Sequence, residues 1–207
     1  MAQSGTPRTT AIVLAAGRST RMGAANKLLA HVGGKPMVRR VVEAALASAA
    51  SPVLVVTGHQ ADDVRAALGG LQTAFVHNPD YAVGLSSSLK TGIAAVPEAA
   101  DGTLVLLGDM PRIAAAHLDL LMAAFADHGG GAIVVPTHAG KRGNPVLWPR
   151  DCFAQILLLE GDAGAKRLLA AHADRVRAVD LGTDAIFADV DTPEALAELR
   201  RGPQSST

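Results

Sequence analysis

The feature that most constrains this chain is an apolar run that leads directly into a glycine-containing, cationic loop, within residues 10–29 (TAIVLAAGRSTRMGAANKLL). The continuous apolar run predicts a buried β-strand, because such runs bounded by glycine fit one. Small side chains around Gly17 let backbone N–H groups approach a ligand closely. Arg18, Arg21 and Lys27 then supply up to three positive charges. A backbone cradle followed by cations predicts a site for a phosphate chain.

Two common phosphate-binding motifs do not fit this loop. The P-loop requires a lysine followed by serine or threonine after its second glycine, whereas Gly23 is followed by two alanines. The dinucleotide-binding fingerprint requires a second glycine two positions after the first, where this chain has Ser19. No acidic residue closes the predicted second strand to hold a ribose hydroxyl. The remaining alternative is an ordinary strand–loop–helix turn with surface arginines.

Composition limits the class of protein. The 207 residues suffice for one domain with a substantial core. The 19 basic and 19 acidic residues balance, and aromatics make up 3%, which argues against a general nucleic-acid binder. No segment is apolar enough to span a membrane and residues 1–10 lack the apolar region of a secretory signal, so we expect a cytoplasmic protein. The single Cys152 excludes an intrachain disulfide, and we expect a half-buried thiol at a helix start.

Apolar runs and helical periodicities alternate along the chain. Strands are predicted at residues 11–15, 52–58, 73–77, 103–107, 132–136, 146–148 and 175–181, and helices at residues 36–49, 61–68, 117–128, 151–159 and 194–200. A further helix is predicted to open within residues 161–166 and to run through residue 171. Strand–helix–strand order predicts parallel strands with right-handed crossovers, hence an α/β fold. We expect one domain over residues 10–200, between a flexible N-terminus at 1–9 and a flexible tail at 201–207.

Polar residues follow predicted strands at two further positions. Three serines after Gly84 stand at a predicted helix start, where hydroxyls and free N–H groups are available to a ligand. Helix capping, which needs only one of the three, is the alternative. Asp109 follows the strand at residues 103–107, and open α/β sheets bind ligands where their strands end. The alternative for Asp109 is the N-cap of a helix that begins near Ile113.

The second half of the chain adds cations and carboxylates. Residues 140–145 (GKRGNP) place Lys141 and Arg142 between glycines and between predicted strands, where an ordinary hairpin is the structural alternative to a binding role. Asp189 and Asp191 are two positions apart and share one face if the segment is extended. The Thr-Pro-Glu that follows them also suits a helix start, which is the structural alternative for one of the two.

These segments resemble the nucleotidyltransferases built on a Rossmann-like sheet. Their signature, L-A-[AG]-G-x-S-x-R-M-G followed by lysine, stands here as LAAGRSTRMG at residues 14–23 with Lys27 behind it. LGDMP, GKRGNP, GDAGAK and DVDTP are similar to further segments of the family. Within this MobA-like NTP transferase superfamily, residues 10–199 most resemble molybdenum cofactor cytidylyltransferases and their relatives. The resemblance implies a three-layer α/β/α Rossmann-like nucleotidyltransferase fold, mostly parallel with one antiparallel strand near residues 145–148.

The resemblance also implies roles for single residues. Arg21 and Lys27 would neutralise a triphosphate, and Asp109 would be a catalytic residue and a metal ligand. Asp191 would be the second metal ligand, with Asp189 as the alternative. Nucleotide-binding residues would be Leu14, Ala15, Ala16, Gly17, Arg18, Asn78, Ser86, Ser87 and Gly108. Acceptor-binding residues would be Lys141, Arg142, Lys166 and Asn144, the last of which stands where many relatives carry histidine.

The implied reaction is a Mg²⁺-dependent transfer of CMP from CTP to the phosphate of the molybdopterin-bound molybdenum cofactor, with release of pyrophosphate. Mn²⁺ is an alternative to Mg²⁺. In the family, Leu-Ala-Ala-Gly is linked with cytidine rather than guanine. One alternative is a nucleotidyltransferase for a sugar or alcohol phosphate, and another is a small oxidoreductase or nucleotide-binding protein on the same scaffold. The partners implied are small-molecule substrates, with neither nucleic acid nor membrane, and a transient contact with a molybdoenzyme or its maturation chaperone.

Overall fold

The computed structural model describes residues 5–18, 26–159, 164–187 and 192–201. The strands are β1 Thr9–Ala15, β2 His31–Val32, β3 Lys35–Pro36, β4 Val53–Thr57, β5 Ala74–His77, β6 Gly102–Leu107, β7 Ile133–His138, β8 Lys141–Arg142, β9 Val146–Pro149 and β10 Val176–Asp180. The helices are α1 Met37–Leu46, α2 Ala61–Ala67, α3 Leu85–Ala94, α4 Ala115–Asp127, α5 Phe153–Leu157, α6 Gly164–Ala171 and α7 Pro193–Arg201. None of the helices in these ranges has the length and apolar character needed to span a membrane.

The main sheet has the strand order β10-β7-β9-β6-β1-β4-β5, with β8 beside β7. β1 pairs in parallel with both β4 and β6, and the β4–β5 and β7–β10 pairs are also parallel. β9 runs antiparallel to both of its neighbours, β6 and β7. The expected mostly parallel sheet with an antiparallel strand near residues 145–148 is therefore confirmed. β2 and β3 form a separate antiparallel pair.

Side chains of the central strand β1 alternate between two cores, as the two-residue period of a strand requires. Ala11 and Val13 are fully buried in the core that α1, α2 and α4 cover. Ile12 and Leu14 belong to the core on the other face, which α3, α5 and α6 cover. The apolar run that predicted a buried strand is thus covered on both faces, and the three-layer α/β/α architecture is confirmed.

Gly92 sets the distance between α3 and the sheet. A Cβ atom at this position would lie 2.7 Å from Ile12 Cγ2 and 3.1 Å from Val56 Cγ2, closer than packed carbon atoms normally approach. Because α3 follows the carboxyl end of β5 after a short loop and runs back across the sheet, its first turn lies at the edge where the parallel strands end.

Four local predictions needed correction. The segment predicted as a helix at residues 151–159 is α-helical only at Phe153–Leu157, after the 3₁₀ turn Arg150–Cys152. The first helix ends at Leu46 and not at residue 49. Just beyond this end, the Ser48 hydroxyl donates to the Ala45 carbonyl oxygen at 2.7 Å and so competes with the helical hydrogen bonds. α4 begins at Ala115, two residues before the predicted start. Cys152 is fully buried and not half-buried, and this burial raises the pKa of its thiol to about 11. A reactive or catalytic role does not suit such a thiol.

Candidate functional site

Four parallel strands end side by side at one edge of the sheet, here named the carboxyl edge. Leu14 near the end of β1 is level with Leu107 of β6, and the last residue of β1 is level with Thr57 of β4. Thr57 is in turn level with His77, the last residue of β5. The chain proceeds from β1 to β4 and β5 on one side and returns to β6 on the other. Ligands bind at such a reversal of strand order in open α/β sheets.

The β1 loop and the β6 loop are in direct contact at this edge. Leu14, Ala15 and Ala16 are buried, whereas Gly17 and Arg18 are exposed. The Gly108 N–H donates to the Leu14 carbonyl oxygen at 2.9 Å, which extends the β1–β6 pairing into the loops. A Cβ atom on Gly108 would lie 3.0 Å from that same oxygen, so the absence of a side chain permits this close approach.

An ion pair between Lys27 and Asp109 lies beside these loops. Asn26 precedes the 3₁₀ turn Lys27–Leu29, and its Oδ1 accepts the Leu28 N–H at 3.1 Å, which holds the start of the turn. The Lys27 ammonium lies 2.6 Å from Asp109 Oδ2, and each side chain is only 14% exposed. Such a short, shielded pair is far less screened by water than a surface pair.

The second carboxylate oxygen of Asp109 is buried and has no hydrogen-bond partner within the described residues. Buried polar atoms in proteins are normally satisfied, so this oxygen is available to a water molecule or a cation. The capping alternative for Asp109 is wrong, because α4 begins at Ala115 with Ala114 at the N-cap position. The Ala114 N–H instead donates to His117 Nδ1 at 3.1 Å.

Asn78 organises the neighbouring loop between β5 and α3. It is 1% exposed, and its Nδ2 group donates to the hydroxyl oxygens of Ser87 at 2.9 Å and Ser88 at 3.0 Å. Its Oδ1 accepts the Asp80 N–H at 3.0 Å. Ser86 is also buried, but its hydroxyl takes no part in this network. The structure therefore ties Asn78 and Ser87 together, and it adds Ser88, which the sequence did not single out beyond its place in a serine triplet.

Gly58 and Tyr81 are further residues that the sequence did not identify. A Cβ atom on Gly58 would lie 2.5 Å from Tyr81 Cβ and 2.9 Å from Ala16 Cβ. The His59 N–H donates to the Ala16 carbonyl oxygen at 3.1 Å. The loops after β1, β4 and β5 thus pack against one another. In the sequence, the one signal of this packing is Gly58, which directly follows the apolar strand β4.

The predicted acceptor residues lie farther along the carboxyl edge. β8 pairs with the end of β7, with Thr137 opposite Arg142 and His138 opposite Lys141, so the segment does form a hairpin. Both cations are exposed. Asn144 is half-buried ahead of β9, and its N–H donates to the Ile186 carbonyl oxygen at 3.1 Å.

The other predicted site residues are not joined to these groups. Lys166 is exposed on α6, and no hydrogen bond or ion pair links it to the rest of the site in the described part of the chain. Arg21, Asp189 and Asp191 lie outside the described residues. Within the ranges that are described, no group of three or more histidine, cysteine, aspartate or glutamate side chains could hold a metal ion. Of the predicted metal ligands, only Asp109 lies within the described residues.

Comparison with known proteins adds independent information. The purine catabolism protein PucB of Bacillus subtilis strain 168 is 30% identical over 203 residues, or 92% of this chain and 95% of the relative. The molybdenum cofactor cytidylyltransferase of Escherichia coli K12 is 27% identical over 186 residues, or 88% of this chain and 91% of that protein. The bifunctional protein GlmU of Kineococcus radiotolerans is 40% identical over 129 residues, but the aligned part is only 26% of its length.

Solved structures share the fold over nearly the whole chain. A homologue of Mycobacterium tuberculosis Rv0371c from Mycobacterium sp. strain JC1 superposes with a TM-score of 0.83 at 31% identity, covering 94% of this chain and 98% of that one. The manganese complex of Rv0371c itself has a TM-score of 0.79 at 28% identity, covering 95% and 100%. Residues 11–176 match the MobA-like NTP transferase domain, which spans the loop at Gly17, the Lys27–Asp109 pair and the Asn78 network. The chain belongs to the MobA-like NTP transferase family.

Proposed function

We propose that the protein is a nucleotidyltransferase that transfers CMP from CTP to the phosphate of the molybdopterin-bound molybdenum cofactor and releases pyrophosphate. The observation that carries the proposal is the shielded Lys27–Asp109 pair beside an exposed Gly17–Arg18 loop at the strand-order reversal. This arrangement brings the cations Lys27 and Arg18, the first of them oriented by Asp109, together with open backbone at Gly17. A triphosphate needs both, because its charge must be neutralised while its oxygens are held in one orientation.

A divalent cation fits this site. The buried Asp109 Oδ1, which has no partner among the described residues, is the hard oxygen ligand that Mg²⁺ and Mn²⁺ prefer. Lys27 engages the other oxygen and so fixes the carboxylate orientation. We propose that Asp109 holds Mg²⁺, and that Asp191 is a second ligand. When bound, the ion would neutralise charge and orient phosphate oxygens.

The chain's own residues would act mainly by positioning. In the transfer, an oxygen of the acceptor phosphate forms a bond to the α-phosphorus of CTP as the bond to pyrophosphate breaks. Because an acceptor phosphate is already ionised near neutral pH, no general base is needed. Lys27 and Arg21 would bind the triphosphate oxygens, and the loop at Gly17 and Arg18 would bind the nucleotide. Catalysis then depends on orientation and on prearranged charge.

The acceptor would approach from the side of the β7–β8 hairpin. Lys141 and Arg142 are exposed there and form no ion pair with other described residues, so their charge is available to a second anion. Asn144 stands between this hairpin and β6 in the sheet order. We propose that these residues, with Lys166, bind the acceptor.

CTP and a molybdenum cofactor are proposed on the similarity of nearly the whole chain to the E. coli cytidylyltransferase and on the Leu-Ala-Ala-Gly form of the loop. PucB and GlmU are similar as well, which favours testing other phosphate acceptors in parallel. We also propose that the reaction takes place in the cytoplasm and that the product passes to a molybdoenzyme or its maturation chaperone by a transient contact.

The test is pyrophosphate release by the purified protein with Mg²⁺. CTP, GTP, ATP and UTP are compared, each with molybdenum-loaded molybdopterin, with a set of sugar and alcohol phosphates, and with no acceptor. We expect release that depends on CTP and on the molybdenum-loaded acceptor. Release with a different acceptor alone would retain the nucleotidyl transfer and reject the proposed substrate. A folded protein that releases no pyrophosphate from any pair would reject the transferase.

A further inference from the structure

An ion pair outside the proposed site connects its two sides. Arg112 lies three residues after Asp109, and its guanidinium forms two parallel bonds with Asp184, NH1 to Oδ2 at 3.0 Å and NH2 to Oδ1 at 2.6 Å. The two residues are 72 positions apart in the sequence. A bidentate arginine–carboxylate pair restricts orientation as well as distance, which a single-point contact does not.

Asp184 begins a short 3₁₀ turn, Asp184–Phe187, that contacts the loop ahead of β9. The Ile186 carbonyl oxygen in this turn accepts the Asn144 N–H at 3.1 Å. The packing is close, because a Cβ atom on Gly143 would lie 2.5 Å from the same oxygen and 2.8 Å from Ile186 Cβ. The turn therefore joins the loop after β6 to the proposed acceptor residue Asn144 through two short, defined contacts.

The loop after β6 is also held from its other side. Arg40 of α1 donates from Nε to the Pro111 carbonyl oxygen at 3.3 Å and from NH1 to the Val32 carbonyl oxygen at 3.4 Å. Contacts on both sides fix the backbone immediately after Asp109. The ion pair of Arg112 supplies the contact on the acceptor side.

We infer that Arg112 and Asp184 are positioning residues, which hold the loop that carries Asp109 at a fixed distance from the acceptor loop at Asn144. The inference rests on the proposed function, in which the nucleotide binds beside Asp109 and the acceptor beside Asn144. An in-line transfer needs the reacting atoms about 3–3.5 Å apart, and a misplacement of about 1 Å can cost about 100-fold in rate. A contact that sets this separation changes the rate without touching either substrate.

The kinetic test compares Arg112→Ala, Asp184→Ala and the double variant, under the conditions of pyrophosphate release. We expect kcat to fall about two- to threefold in each single variant, because the pair is exposed, with KM for CTP unchanged. The double variant should be no slower than either single variant, because both remove the same contact. Arg112→Lys should recover only part of the rate, since an ammonium lacks the two-pronged geometry.

A matched control is Asp151→Ala. Asp151 also binds an arginine through both oxygens, Arg175 NH2 at 2.9 and 2.7 Å, and its side chain is 62% exposed compared with 60% for Asp184. Asp151 follows β9 at the opposite edge of the sheet. We expect this variant to retain the wild-type kcat. A loss as large as that of Asp184→Ala would mean that the effect is one of general stability, and it would overturn the inference.

A second measurement does not depend on activity. Amide hydrogen exchange at Asn144, whose N–H is bound to Ile186, should be faster in Arg112→Ala and unchanged in Asp151→Ala. Three results would each overturn the inference. The first is unchanged hydrogen exchange at Asn144 in Arg112→Ala, and the second is an unchanged kcat in the single variants. The third is a fold-loss of kcat in the double variant that equals the product of the two single fold-losses. If the wild-type protein transfers no nucleotide, the proposed function fails, and the exchange at Asn144 still decides whether the two loops are coupled.

Discussion

The carboxyl edge has two halves that are built differently. The donor half, named for its proposed role, comprises the loops after β1, β4, β5 and β6. Three of its polar side chains are shielded, since Lys27 and Asp109 are each 14% exposed and Asn78 is 1% exposed. The acceptor half comprises β8 and the loop ahead of β9. Its cations Lys141 and Arg142 are exposed and make no ion pair among the described residues.

The difference indicates which half is prearranged. Shielded groups in the donor half are fixed by one another before any ligand binds, so a nucleotide there meets little cost of reorganisation. The exposed side chains in the acceptor half are fully hydrated and keep their rotamer freedom, so they offer charge without a fixed geometry. Changes in the donor half should therefore alter rate and stability, whereas changes in the acceptor half should alter affinity for the acceptor.

The largest effect is expected from Asp109→Asn. The substitution keeps the shape of the side chain but removes the charge that pairs with Lys27 and that suits a divalent cation. We expect pyrophosphate release to fall by about 1,000-fold, the upper end of what one prearranged charged group contributes. The measurement is the initial rate with CTP, Mg²⁺ and the best acceptor.

The matched control for Asp109 is Asp180→Asn. Asp180 also ends a parallel strand, β10, at the carboxyl edge, but it lies beside the acceptor half and is 68% exposed. We expect its activity to stay within about twofold of the wild type, as for most exposed positions. If folded Asp109→Asn retains a tenth of the wild-type rate or more, Asp109 is not central to the reaction.

Asn78→Ala tests the stability of the donor half. The change removes bonds to two serine hydroxyls and the Asp80 N–H, and it leaves the buried Ser88 hydroxyl without its partner. We expect the free energy of unfolding to fall by about 1–3 kcal/mol, the usual cost of an unsatisfied buried group, and KM for CTP to rise. Urea unfolding and CTP titration measure the two effects.

Asn144→Ala is the corresponding change in the acceptor half. The hydrogen bond that Asn144 makes with another described residue uses its backbone N–H, which alanine keeps. Its free energy of unfolding should therefore change by less than about 0.5 kcal/mol. Equal destabilisation by the two asparagine substitutions would contradict the contrast between the halves.

A third prediction concerns the exposed cations. The double substitution of Lys141 and Arg142 by alanine should raise KM for the acceptor about tenfold, equivalent to about 1.4 kcal/mol, because two charged contacts with an anion are lost. KM for CTP and the thermal midpoint should stay close to those of the wild type. Arg177→Ala on the edge strand β10 removes an exposed cation elsewhere and should leave both KM values unchanged. A rise in KM for CTP alone would assign these cations to the donor half.

The sequence predicted most of the elements because their signals are local. Continuous apolar runs bounded by glycine or proline mark β1, β4 and β6, and β9 was expected to be antiparallel from the family resemblance. Element ends were less predictable, since a side chain such as Ser48 can compete for a helix carbonyl without leaving a periodic signal.

Contacts between distant segments could not be predicted. Lys27 and Asp109 were each singled out, but their pairing depends on β6 lying next to β1, and a strand–helix alternation does not specify that order. Arg112 resembles any surface arginine in the sequence, because its partner Asp184 is 72 positions away. The hydrogen bonds between Asn78 and the serines were not predicted for a similar reason. Three serines at a helix start predict a cap or a ligand site, and neither prediction identifies a buried asparagine as their partner.

The smallest effect expected is the pH dependence of the Arg112–Asp184 pair, which lies beside the acceptor half with its side chains 44% and 60% exposed. The hydrogen bond from Arg112 holds the pKa of the Asp184 carboxyl below its ordinary value. A lowered pKa in the folded state stabilises the protein above the unfolded-state value of about 3.9, and the contribution is lost as the pH falls through the folded-state value.

Because the pair is exposed and screened, we expect Asp184→Asn to lower the free energy of unfolding at pH 7 by at most about 0.5 kcal/mol. The difference between the variant and the wild type should shrink towards zero as the pH falls below the unfolded-state value of about 3.9 in urea titrations, and it should also shrink in high salt. A difference in the free energy of unfolding that grows as the pH falls would have the wrong sign for a carboxylate with a lowered pKa. The Arg112–Asp184 contact would then make no electrostatic contribution to the stability of the acceptor half.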